Sequence, residues 1–145
     1  MAGIRALPAV PNGPRAFRYR IRRFGAIVAL APAAALGLLS FLLLHHNSAT
    51  TRGVAGFAAA VLGGPALMAF GVPLASGTSK IVLGALVSAV LWVGVGVIAS
   101  LRATRSPVAS WRDFWREYLW LAAGIWAGVV VALVVVEVSV GRALL

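Results

Sequence analysis

Val54 to Ala75, VAGFAAAVLGGPALMAFGVPLA, holds no charged side chain, and its reading sets how many times this chain crosses a bilayer. A transmembrane helix needs about 20 apolar residues, and the stretch is long enough. Yet "GGP" at 63–65 and "GVP" at 71–73 interrupt it. Glycine weakens a helix, and proline removes a donor and clashes with the carbonyl four residues earlier. A break at membrane depth survives only where protein or a wet cavity satisfies the freed backbone groups. The stretch is therefore either a poor span or a re-entrant segment that enters and leaves on one side.

Around it lie three cleaner candidates, about 24–44, 81–101 and 118–140, the last two free of proline. The 145 residues are 61% hydrophobic with a mean hydropathy of +0.98, far above the roughly 45–50% apolar usage of soluble domains. The chain reads as an all-α integral membrane protein with a single transmembrane domain over 17–145. It is expected to be a four-helix bundle with spans 24–44, 54–75, 81–101 and 118–140. Pro32 is expected to kink the first span, so that a neighbouring helix must cover the freed carbonyl. Residues 1–16, with three prolines and two glycines, read as a disordered tail.

Charge gives a conflicting signal on sidedness. The 13 basic residues face only Asp113, Glu117 and Glu137. With four spans and the N-terminal segment in the cytoplasm, eight basic residues fall inside and five outside. A re-entrant second segment moves Arg102, Arg105, Arg112 and Arg116 to the inner side and improves the split to ten against three. The four-span reading is taken because apolar length normally dominates insertion. Phe17, Ile21 and Phe24 recur at helical spacing while Arg15, Arg18 and Arg22 take another face, and Arg20 and Arg23 add charge. This basic segment is expected to touch anionic lipid headgroups, at about 1 kcal/mol per basic residue. Because the arginines flank apolar segments, lipid rather than nucleic acid is the expected counter-charge.

The third loop carries "SPVASWRDFWREYLW", Ser106 to Trp120. Ser106 and Pro107 suit a helix start, and Trp111, Phe114, Trp115 and Tyr118 then share one face. An interfacial helix over about 107–117 is expected, its ring stripe at headgroup level or against a partner, with Asp113 and Arg116 paired.

Few residues suggest chemistry. Glu137 is the one acid inside an expected span, where ionisation costs roughly 2.5 kcal/mol or more at mid-depth. Near the helix end, it is expected to pair with Arg22 or Arg23 or to be solvated there. His45 and His46 are adjacent, about 100° apart on a helix, and do not chelate one ion. With no cysteine, disulfides and thiolate metal sites are excluded, and no metal or cofactor is expected. Small residues recur four apart in every span, and Gly124 with Gly128 forms the one true GxxxG, a candidate face for another chain. The functional expectation is a non-enzymatic accessory subunit of a larger bacterial inner-membrane assembly, with its N-terminus cytoplasmic. The alternatives are a self-associating transporter or channel using Glu137 and the broken segment, and a membrane enzyme on lipid-linked substrate.

Overall fold

A computed structural model describes residues 13–45, 50–70 and 77–143, and every regular element in them is helical. They are α1 (Pro14–Val28), α2 (Leu30–His45), α3 (Thr50–Gly63), α4 (Pro65–Ala69), α5 (Thr78–Ala103) and α6 (Trp111–Ala143). Three stretches, Ala16–His45, Thr78–Ala103 and Trp111–Ser139, are long and apolar enough to cross a membrane. The chain is thus a multi-pass helical membrane protein. Among the described residues no fourth stretch is long and apolar enough to cross.

The first span begins earlier than Phe24. Pro14 occupies the first turn, where its missing donor costs nothing, and Gly13 accepts from the N–H groups of Ala16 and Phe17. The basic segment and the start of the span therefore share one axis. Of the expected tail, residues 13–16 belong to this helix start, and 1–12 lie outside the described residues. The helix is interrupted for one residue at Ala29, between α1 and α2, where the backbone dihedrals stay helical. Pro32 explains the break, since it cannot donate to Val28 and its ring crowds that carbonyl. The adjacent carbonyl, of Ala29, accepts from the Tyr118 hydroxyl of α6 at 3.1 Å, so a neighbouring helix does reach the kink.

The segment 54–75 is not one helix. α3 runs antiparallel to α2, since a Cβ at Gly56 would meet Leu43 and Leu44, and one at Gly63 would meet Ala33 and Leu36. At Gly64 the helix stops, and α4 turns back along α5: Leu67 lies against Gly84, while Gly63 lies deeper, beside Trp92. Residues 71–75 of the expected span lie outside the described residues.

α1 and α5 make the tightest crossing. A Cβ at Gly96 would stand 2.5 Å from Ala29 Cβ and 3.1 Å from the Gly25 carbonyl, and one at Gly25 would collide with Ser100 Oγ. Because nothing larger fits, the two backbones meet, and dispersion holds them where lipid offers no hydrophobic drive. The core lies beside this crossing: Trp92, Phe114, Ile21 and Thr104 are its largest fully buried side chains.

No separate helix covers 107–117. Residues 104–110 form turns, in which Ser106 Oγ accepts from the Val108 N–H, and α6 then runs unbroken from Trp111. Its start is a capping box. Ser110 Oγ accepts from the Asp113 N–H at 3.3 Å, and Asp113 Oδ2 accepts from the Ser110 N–H and hydroxyl at 3.1 and 2.7 Å. Asp113 is thus committed to Ser110, and Arg116 instead lies 3.8 Å from Glu117.

Candidate functional site

The Gly63–Gly64–Pro65 break leaves backbone groups without helical partners, and three side chains from other helices take them. The Trp92 indole N–H of α5 donates to the Gly63 carbonyl at 2.7 Å, and that of Trp126 in α6 donates to the Leu62 carbonyl at 3.1 Å. Across the break, Ser88 Oγ accepts from the Ala66 N–H at 3.2 Å and donates to the Gly84 carbonyl at 2.8 Å. These bonds close both sides of the break, as irregular backbone in a low-dielectric setting requires.

Beside the break lies a cavity of about 370 Å³ between α2, the α3–α4 turn and α5. Leu30, Ala33, Gly37, Leu67 and Ala85 supply apolar walls, and Ser40 and Ser88 the side-chain hydroxyls. No ionisable side chain lines it, so the cavity offers shape and two hydroxyls rather than acid, base or metal chemistry. No group of three or more metal-ligating side chains occurs among the described residues. His45 stacks on Phe41 with ring centroids 4.8 Å apart, and His46 lies outside the described residues.

Two rings of the aromatic stripe turn inward. Phe114 and Tyr118 are 0% and 2% exposed, and Trp111 and Trp115 are half-buried against them. Tyr118 meets Trp92 at 5.8 Å between centroids, and Trp92 meets Trp126 edge-on at 6.2 Å, so the rings run from the third loop down to the break. The physical reason is space: Gly25 lets the Phe114 ring reach the α1 backbone, where burial outweighs a half-wet interface.

Gly124 and Gly128 face open space, with nothing near a Cβ built on either. Other small residues do mediate contacts: Gly25 and Gly96 at the α1–α5 crossing, each four residues before another small residue (Ala29 and Ser100), and Gly63 against Ala33 of α2.

Glu137 does not approach Arg22 or Arg23. It stands 23 residues beyond Phe114 on one continuous helix, about 35 Å along the axis, whereas Phe114 lies beside Gly25 of the basic helix. Exposed, it makes no ion pair among the described residues. Arg22 is held at the opposite end, its Nε donating to Thr104 Oγ1 at 3.1 Å. The N-terminal basic segment and the third loop therefore meet at the same end of the molecule, which the four-span arrangement does not allow. Arg18, Arg20 and Arg23 sit on the same helix, and Arg23 donates to the Tyr19 hydroxyl at 3.0 Å. The side chain of Arg15 lies outside the described residues.

Trp92, Trp126, Ser88 and Thr104 are the residues that sequence reasoning missed. A signal exists for the two tryptophans: each sits mid-span, whereas Trp favours the interfaces, and a buried indole N–H demands an acceptor.

Comparison with family models, with curated proteins and with solved structures finds no match to this chain.

Proposed function

We infer that the protein is a non-catalytic subunit of a larger bacterial inner-membrane assembly, with three crossings and α3–α4 re-entrant between the first and second. Its basic end, comprising the N-terminal segment and the third loop, faces the cytoplasm and anionic lipid. That places ten basic residues inside and three outside, in keeping with the positive-inside preference.

One observation carries the subunit role. The first half of α6 forms the core, while its second half, from Ala127 to Ser139, is exposed at every position but the half-buried Val129. Gly124 and Gly128 open the start of this face to close approach by another helix. Trp120, 73% exposed, adds an aromatic surface one turn before Gly124 on the same helix.

The broken segment favours structure over transport. Half-helix carbonyls serve cation sites in transporters when they are free to coordinate. Here the Leu62 and Gly63 carbonyls are already taken by indoles. Glu137, eleven residues or about 16 Å beyond Trp126, sits toward the outer end of α6, where water solvates a carboxylate.

Purification in mild detergent tests the role. Other polypeptides are expected in fixed ratio, and Gly128→Leu is expected to release them without unfolding the chain. A lone symmetric oligomer, unchanged by Gly128→Leu, contradicts it.

A further inference from the structure

We propose that the cleft between α1 and α5 at the basic end is a binding site for one anionic phospholipid, its phosphate on Arg22 and the start of an acyl chain along Ala26, Val97 and Leu101. The proposal rests on the membrane reading and not on the subunit role.

The cleft has a volume of about 290 Å³ and is lined by Arg22, Ala26, Val97, Ser100 and Leu101. Its charge sits at one end. Thr104, 0% exposed, donates through Oγ1 to the Ser100 carbonyl at 2.7 Å and accepts from Arg22 Nε at 3.1 Å. A buried, doubly bonded hydroxyl thus fixes the guanidinium through its Nε alone. The two terminal nitrogens, the pair that addresses a phosphate in a bidentate fork, remain uncommitted to any acid among the described residues. Asp113, in the first turn of α6, is occupied by Ser110.

Below Arg22 the chemistry changes within one helical turn. Ala26, Val97 and Leu101 present only carbon, and the Ser100 hydroxyl is directed to the Gly96 carbonyl at 2.7 Å. A cationic head over an apolar trough matches a lipid, with a phosphate above and methylenes below. A free phosphate leaves the trough unused. Arg18, one turn before Arg22, Arg102, at the end of α5, and Arg105, in the turn after it, raise the local positive potential and add no counter-acid. Two segments about eighty residues apart in sequence therefore build one site, and the lipid bridges α1 to α5 beside their closest crossing.

The test uses the full chain in a neutral detergent, titrated with phosphatidylglycerol or phosphatidylcholine while its thermal unfolding midpoint is followed. Phosphatidylglycerol is expected to raise the midpoint saturably and phosphatidylcholine is not. Arg22→Gln is expected to weaken the half-saturating concentration by about tenfold, as loss of a bidentate charged contact implies. Lys80→Gln, at the start of α5 and so at the opposite end of the molecule, is expected to leave it unchanged. Val97→Phe keeps every charge and fills the trough, so it is expected to lose the lipid effect as well; it also decides the matter if Arg22→Gln does not fold. Equal losses in Arg22→Gln and Lys80→Gln, full retention in Val97→Phe, or an equal midpoint rise with inorganic phosphate each overturn the site.

Discussion

Trp92→Phe removes one N–H and a ring edge from the centre of the bundle. Trp92 is 1% exposed and donates at 2.7 Å to the Gly63 carbonyl, whose helical donor, the Leu67 N–H, bonds the Gly64 carbonyl instead. Leaving a buried carbonyl unpaired costs about 1–3 kcal/mol. Interhelical bonds in membranes average about 0.6 kcal/mol and reach about 1.7, which sets the lower part of that range. Shrinking the indole adds roughly 1 kcal/mol of lost packing. A total of about 2–3 kcal/mol is expected. The matched control is Trp126→Phe, whose bond to the Leu62 carbonyl is longer, at 3.1 Å, and partly exposed, so about 1 kcal/mol or less is expected there. Reversible unfolding by dodecyl sulfate in mixed micelles reads both. Because the chain has no cysteine, a single Ala66→Cys also reports opening of the break through its maleimide reactivity, which should rise in Trp92→Phe and hardly in Trp126→Phe. Equal costs for the two substitutions, or a Trp92→Phe cost below about 0.5 kcal/mol, refute the idea that the indole holds the broken segment.

Other substitutions separate the contacts. Gly96→Leu pushes a side chain into Ala29 and the Gly25 backbone and is expected to cost more than about 2 kcal/mol, whereas Gly128→Leu, facing open space, should shift the isolated chain's unfolding by less than about 0.5. Gly25→Ala is expected to destabilise by forcing Ser100 aside, and adding Ser100→Gly should recover part of the loss in a double-mutant cycle. Ser110→Ala breaks the capping box and is expected to cost about 1 kcal/mol. Tyr118→Phe deletes the hydroxyl that reaches the Ala29 carbonyl at the kink, with an expected loss near 1 kcal/mol; no loss indicates that water serves that carbonyl instead.

Class and helical content were legible because apolar length is a local property: the stretches beginning at Ile81 and Tyr118 lie within α5 and α6. Pro32 was legible as a kink for the same reason. The fate of Val54–Ala75 was not, because its backbone is satisfied by Trp92, Trp126 and Ser88, 22 to 64 residues away in sequence. The capping box could have been read directly, since Ser110 and Asp113 have its spacing, but Ser106–Pro107 offered a competing start. The four rings of the stripe follow helical spacing, but the inward direction of Phe114 depends on Gly25, whose contact with it lies 89 residues away in sequence and leaves no local mark. Gly124 and Gly128, the one true GxxxG pair, face open space among the described residues.

Sidedness is the most direct test of three crossings with a re-entrant segment. Single cysteines at Ala16, Thr78 and Ser106 in the cysteine-free chain are to be labelled with a membrane-impermeant thiol reagent in right-side-out and inverted vesicles. Positions 16 and 106 are expected to label from the same side and 78 from the other. Labelling of 16 and 106 from opposite sides contradicts the arrangement.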